Sequence, residues 1–254
     1  MHNQDSSAAP LRVLTVNVHK GFSPLNRHFI LPDLRDAVRT TGADVVFLQE
    51  VHGTHRRHAR RHAQWPVVPQ YEYLADTLWR QYAYGRNAVY PDGDHGNAVL
   101  SRFPIVHVHN HDVSMPGPEQ RGLLHCVLHL PQAGRKVHAV CVHLGLREGH
   151  RRQQVQRLCE LVRREVPADA PLLVAGDFND WRLRAHETLA RAGLREVHAS
   201  GLGFLPRTFP ARWPLLRLDR IYVRGVRAHR PVALARRPWA HLSDHAPLAA
   251  EVTP

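Results

Sequence analysis

The sequence predicts an α/β layered fold, and three observations carry that expectation. The alternating, β-branched run LRVLTVNV, residues 11–18, reads as a strand, an amphipathic segment follows it, and the run ADVVFLQE, residues 43–50, reads as a second strand. The second run is apolar almost throughout, which suits a strand covered on both faces. Strand, helix, strand in that order calls for stacked layers. A chain of 254 residues can bury roughly 70% of its unfolded surface in such layers, so it needs neither disulfides nor a structural metal.

The elements follow in order. The first strand ends near Asn17. Ile30, Leu34, Ala37 and Val38 recur at helical spacing, with Pro32 near the start and Gly42 past the end of that helix. The second strand closes on Glu50. The stretch 52–69 is dense in His and Arg and reads as a solvated face, with contact to phosphates or to an interface as its second reading. Residues 71–82 read as a helix. Strands are expected over 98–100, 105–108, 122–130 and 137–143, set apart by Pro and Gly. Val155, Leu158, Cys159 and Val162 mark one face of a helix over 148–165, stopped by Pro167. PLLVAG supplies another buried strand, and a short helix over 185–191 and strands over 218–224 and 246–252 complete the chain. The polar residues 1–10 read as a disordered lead-in to a single domain over 11–254.

Basic residues outnumber acidic ones, 34 to 22, for a net charge of +12 with histidine neutral, and 21 histidines add to it in acid. That field suits an anionic partner: nucleic acid, a phosphorylated metabolite or anionic phospholipid head groups. Lys20 and Lys136 are the only lysines; arginine suits phosphate through its planar fork, although genomic base composition accounts for the bias more simply. The longest apolar runs fall far short of the ~20 residues that cross a bilayer. The polar start lacks the basic and apolar stretches of a secretion signal, so a cytoplasmic protein is expected. Cys126, Cys141 and Cys159 form no CxxC pair and are odd in number, which argues against a disulfide framework.

Asn17, Glu50, His143, Asp177, Asn179, Asp219 and His245 all fall at or beside ends of apolar strands. A sheet that collects carboxylates, amides and imidazoles at one rim makes a polar cleft on a rigid support. In GDFND, residues 176–180, Asp177 and Asn179 are two apart and share one side of an extended backbone. Oxygen ligands from Glu50 and one or more of the aspartates suit Mg²⁺ or Mn²⁺. Zinc fits less well, since the cysteines are scattered and no HExxH helix is present, and no GxSxG elbow offers a serine nucleophile, which leaves water. Taken singly, Asp177 reads as an N-cap for the helix after Trp181, and Ser243 with Asp244 as a turn. Taken as an ordered set they read as a site. His95 and Asn97 read as structural, and the five tryptophans as core or rim fillers.

The blocks TVNVH, FLQE, HGNAVLSRFPI, RGLLH, VHLG, GDFND, RLDRIYV and SDHAPL, in this order, resemble the endonuclease/exonuclease/phosphatase superfamily over about residues 11–251. The resemblance implies a DNase I-like four-layer α/β sandwich, two mixed β-sheets packed face to face and flanked by helices, that cleaves phosphoesters with Mg²⁺ or Mn²⁺. It implies that Glu50 is the principal metal ligand, that Asn17 supports it and that Asp244 lies near the metal. Asp177 would orient or deprotonate the attacking water, Asn179 would bond a phosphate oxygen, and His245 would serve as the general histidine with Asp219 holding its tautomer. His143 matches a second histidine, and Arg121 a basic residue near the substrate phosphate, although the neighbouring residue is Gln120 where an acidic or basic one is common. A monomeric nuclease is the expected activity. Phospholipid or phosphoinositide head-group hydrolysis is the alternative, with residues 60–73 meeting an anionic membrane. A catalytically silent nucleic-acid-binding module is disfavoured, because such a protein would be expected to have lost one of Glu50, Asp177, Asn179 or His245.

Overall fold

The computed structural model describes residues 9–254, so most of the lead-in expected over 1–10 lies outside the described residues. Among the described residues, twelve strands form two mixed six-stranded sheets. The first contains β1 (Leu11–Asn17), β2 (Val45–His55), β3 (Gln81–Tyr90), β4 (Gly93–Ser101), β11 (Ala228–Val232) and β12 (Leu248–Thr253), in the order β11-β12-β1-β2-β4-β3. The second contains β5 (Ile105–Asp112), β6 (Gly122–Leu130), β7 (Arg135–His143), β8 (Leu172–Asp177), β9 (Arg195–Glu196) and β10 (Asp219–Arg224), in the order β5-β6-β7-β8-β10-β9. Each sheet has one parallel pair near its centre. In β1 and β2 it sets Asn17 beside Gln49; in β7 and β8 it sets His143 beside Asp177, which faces Asp219 across the antiparallel β8–β10 pair. Polar strand ends are thereby collected at one rim.

The helices are α1 (Leu31–Thr40), α2 (Arg56–Arg61), α3 (Gln70–Ala75), α4 (Glu148–Glu165), α5 (Arg184–Arg191) and α6 (Val197–Leu202). Period-2 alternation explains the layers. Val13, Val45, Phe47 and Val99 point inward and meet Leu124, Cys126, Ala139, Leu173 and Ile221 of the opposite sheet. Their neighbours Leu14, Val16, Val46 and Leu48 point outward under Leu31, Leu34 and Val38 of α1 and Leu74 of α3. Val140, Val142, Leu172 and Val174 do the same beneath α4 and α5. Strands buried on both faces need apolar residues on both, which is why VVFL and LLVAG show no polar alternation. Burial of each such Leu or Val stabilises by about 1.5–3 kcal/mol. Polar pins also cross between the sheets: Gln49 Nε2 donates to Cys141 Sγ at 3.3 Å, and Asn97 Nδ2 to Gly122 O at 3.0 Å.

The helix expected over 71–82 is corrected. Only Gln70–Ala75 is helical, because Asp76 turns out at φ 48° and ψ −137°, and the aromatic alternation of Tyr82, Tyr84 and Tyr90 belongs to β3. Its hairpin partner β4 begins at Gly93, well before the strand expected over 98–100. The solvated face expected over 52–69 holds for Arg56, Arg57, Arg60 and Arg61 but not for His52, which is buried. No helix among the described residues is long and apolar enough to cross a membrane.

Candidate active site

Asn17 ends β1 and joins the two sheets: its Nδ2 donates to Glu50 Oε1 at 3.1 Å and to Asp177 Oδ2 at 3.3 Å. The turn before β12 is tied to the same point, since Ser243 Oγ donates to Asn17 O at 2.6 Å and accepts from the His245 N–H at 3.2 Å. Glu50 sits where the β2–β4 register slips between Leu48 and Val51, at φ 56°. A bulge of this kind re-aims one side chain. Here it turns the Glu50 carboxylate into the cleft, where Lys20 Nζ stands 3.2 Å away. Burial alone would raise that carboxyl, but the facing His143, the Lys20 ammonium and the Asn17 amide overcome it and hold it well below the usual carboxylate range.

Asp177 ends β8 and is the hub. The preceding Gly176 has φ 146°, and a Cβ there would stand 2.0 Å from Val142 O, so only glycine lets β8 press against β7. Asp177 Oδ1 accepts the Asn179 N–H at 2.9 Å. Around Oδ2 gather Asn17 Nδ2, Asn179 Nδ2 at 3.4 Å, His143 Nε2 at 3.6 Å and His245 Nε2 at 3.8 Å. Asn179, itself at φ 49°, also donates to Leu144 O at 2.9 Å. Burial raises the Asp177 carboxyl, the His245 and His143 imidazoles oppose it and Asp219 adds to it, for a net rise.

The two imidazoles differ. His245 Nδ1 faces Asp219 Oδ2 at 2.8 Å, which assigns the Nδ1 proton and leaves Nε2 toward Asp177. Burial would lower His245, but Asp219 and Asp177 prevail and raise it to about 10, so it is an imidazolium at neutral pH. His143 is pushed down to about 4 by burial and the Arg121 charge against the pull of Asp177, and stays neutral.

Thus Asn17, Glu50, His143, Asp177, Asn179, Asp219 and His245 converge. Asp244 and Arg121 stand further out. Asp244 is half-buried, 3.8 Å from His19 Nδ1, and its Oδ1 accepts from Ser243 Oγ at 3.3 Å. Arg121 Nε donates to Leu144 O at 3.3 Å, and its Nη2 lies 3.9 Å from Glu119. Sequence reasoning assigned no role to Asp180 or Arg220. Arg220 is fully buried in β10, with Nη1 3.1 Å from Asp180 Oδ2 and Nη2 donating to Asp180 O at 2.6 Å. Asp180, rather than Asp177, caps α5 by accepting the Arg184 and Ala185 N–H groups at 3.1 and 2.9 Å. An arginine inside the apolar run LDRIYV was the available signal, because it requires a buried anion. Lys20 was likewise given no role in the site; its neighbour His19 sits in a short turn and donates its N–H to Asn17 Oδ1 at 3.0 Å.

The donor set fits a hard divalent cation: a Glu50 carboxylate kept anionic, facing the cleft beside an amide, with sulfur ligands absent among the described residues of the site.

Two face-to-face mixed sheets with carboxylates, amides and imidazoles gathered at their shared rim define a DNase I-like architecture. The chain belongs to the Endonuclease/Exonuclease/phosphatase family, whose model matches residues 14–245. It is 57% identical over 242 residues, 95% of either chain, to the uncharacterized protein YbhP of Escherichia coli (strain K12). Among solved structures, an endonuclease/exonuclease/phosphatase from Beutenbergia cavernae matches with a TM-score of 0.78 at 23% identity, covering 96% of this chain and 72% of that one. D. rerio TDP2 complexed with single strand DNA product matches at 0.67 and 18%, covering 96% and 99%. Membership of the family supports a hydrolase of the phosphoesterase or nuclease type.

Proposed function

We propose that this protein is a Mg²⁺- or Mn²⁺-dependent phosphodiesterase that hydrolyses nucleic acid by in-line attack of water. The observation that carries the reading is the convergence on Asp177 Oδ2 of two imidazoles and two amides, with Glu50 across Asn17. Glu50, braced by Asn17, would hold the divalent ion, which supplies neutralisation of the charge that builds on the phosphate oxygens. Asp177 accepts the proton of the attacking water. At 3.6 and 3.8 Å, His143 and His245 stand beyond direct hydrogen-bond range of Asp177, so a phosphate or water oxygen can be shared among them. His245, already protonated and fixed by Asp219, donates from Nε2 to the phosphate oxygen on which negative charge develops. The longer of the two Asn179 amide bonds, 3.4 Å to Asp177, is the one exchanged for a phosphate oxygen.

Nucleic acid is favoured by the +12 field and by a TDP2 of the same fold solved with a DNA product. A cytoplasmic protein belongs to this reading, supported by three free cysteines, and a monomer is part of the same proposal. The second reading, hydrolysis of an anionic lipid head group, is favoured by exposed Val67 and Val68 near exposed Arg60 and Arg61. The test is turnover with Mg²⁺ and with Mn²⁺ on duplex, nicked, abasic and single-stranded DNA, RNA, phospholipids and phosphoinositides. Cleavage confined to lipids selects the second reading. Nucleic-acid binding without turnover of any substrate selects a silent binding module and overturns both.

A further inference from the structure

Strand β2 does not stop at the cleft. It continues through His52 to His55, α2 begins at once, and one ring nitrogen from each of His52, His55 and His58 lies within 4.8 Å of the others. The rings of His55 and His58 are 3.9 Å apart between centroids, and those of His52 and His55 4.9 Å.

His52 is only 1% exposed. Its Nδ1 lies 3.1 Å from the Asp94 carbonyl oxygen and 3.0 Å from the Tyr90 hydroxyl. A carbonyl only accepts, so Nδ1 carries the proton and Nε2 the lone pair. That Nε2 is buried with no hydrogen-bond partner among the described residues, and so is His58 Nδ1. Buried imidazole nitrogens are rarely left unpaired, because the lost hydration is costly. An imidazole anchored through one nitrogen to a carbonyl, with the other free, is the arrangement metal-binding histidines adopt.

We propose that His52, His55 and His58 form a binding site for a borderline divalent ion of the Zn²⁺ type, separate from the hard-cation position at Glu50. Imidazole nitrogens select Zn²⁺, Ni²⁺ or Cu²⁺ over Mg²⁺, and three protein ligands leave a further position open. Binding has one structural cost. His55 Nδ1 accepts the His58 N–H at 3.2 Å, and that bond is given up whichever His55 nitrogen ligates, since ligation uses the Nδ1 lone pair or leaves Nδ1 protonated. In exchange the ion ties the basic segment after β2 to the strand that carries Glu50. The site does not depend on the proposed phosphodiesterase activity.

The test is made on the untagged, chelator-stripped full chain in saturating Mg²⁺, titrating Zn²⁺ against a chromophoric chelator and Co²⁺ by its visible absorption. One equivalent of Zn²⁺ should bind, and Co²⁺ should show the intense band of a low-coordinate nitrogen site. His58→Gln and His55→Gln, which change half-buried side chains, should weaken Zn²⁺ by at least about 10²-fold. His52→Ala should abolish the site if it folds by circular dichroism. His62→Gln and Asp177→Asn should leave it intact. No Zn²⁺ held against the chelator, Zn²⁺ binding by the His55 and His58 variants as tight as the parent's, or loss in Asp177→Asn would each overturn the proposal, the last two by placing the ion among surface imidazoles or in the cleft.

Discussion

Asp219→Asn isolates what one buried charge does for His245. The substitution keeps the shape of a side chain that is 1% exposed and removes the anion 2.8 Å from His245 Nδ1. A close opposite charge shifts a titrating group by about 1–3 pH units, or about 1.4–4 kcal/mol. With Asp177 still in place, His245 should therefore titrate about 1–3 units below its value of about 10. Ring-resonance NMR measures this directly, and the alkaline limb of kcat should move with it. Stability follows with a definite sign. The folded value lies above the ordinary 6.5, so the folded state keeps a proton that the unfolded state has released. The contribution is therefore complete below about pH 6.5, falls as pH rises and is lost above about 10. In Asp219→Asn this window should narrow, as urea unfolding at several pH values would show. His245→Ala should lower kcat by about 10²-fold or more, roughly 3 kcal/mol, and Asp219→Asn by less. The double variant should be no worse than His245→Ala, because the pair acts as one unit. An unmoved His245 titration, or rate losses that multiply, would refute the pairing.

Glu50→Gln should raise the Mg²⁺ concentration needed for half-maximal activity while the circular dichroism spectrum stays that of the parent; unchanged activity at limiting Mg²⁺ removes Glu50 from the site. Arg220→Met leaves the Asp180 carboxylate buried without its cation and should cost about 3–5 kcal/mol in urea unfolding, whereas a loss under about 1 kcal/mol would show that the two α5 N–H groups suffice. Duplex DNA binding should weaken with salt at a log–log slope of about 0.9 per phosphate neutralised, and a flat dependence would favour a small or lipidic substrate.

Legibility in the sequence tracks how local the determinant is. The helix over 148–165 and the strand over 122–130 match α4 and β6 to the residue, because each is a long periodic run bounded by its own stops. Residues 71–82 misled because their tyrosines suit a helix face and a strand equally, and the pairing of β3 with β4 decides between them. β11 was passed over since AHRPV is short and contains Pro231, which only an edge strand tolerates. The block over 52–69 shows the limit of reading charge by composition. Its arginines face water, while His52 fills a buried corner fixed by the Asp94 carbonyl on another strand.

For the site, the residue types and their strand-end positions were legible, and the pairings were not. Asn17 and Asp177 are 160 residues apart, and His245 and Asp219 26 apart. No local pattern couples such positions; packing of the sheets does. The first sheet brings Asn17 and Glu50, and the turn into its β12 brings His245. The second brings His143, Asp177 and Asp219. Neither half alone sets an imidazolium against an aspartate or an amide between two carboxylates. The shift of His245 to about 10 therefore reports closure of the sandwich, since it arises from Asp219 and Asp177 on the opposite sheet. The polar rim and the apolar interior depend on each other: Val13, Phe47 and Ile221 bring the two halves into register, and the Asn17 and His245 bonds hold that register at the rim, where water would otherwise compete.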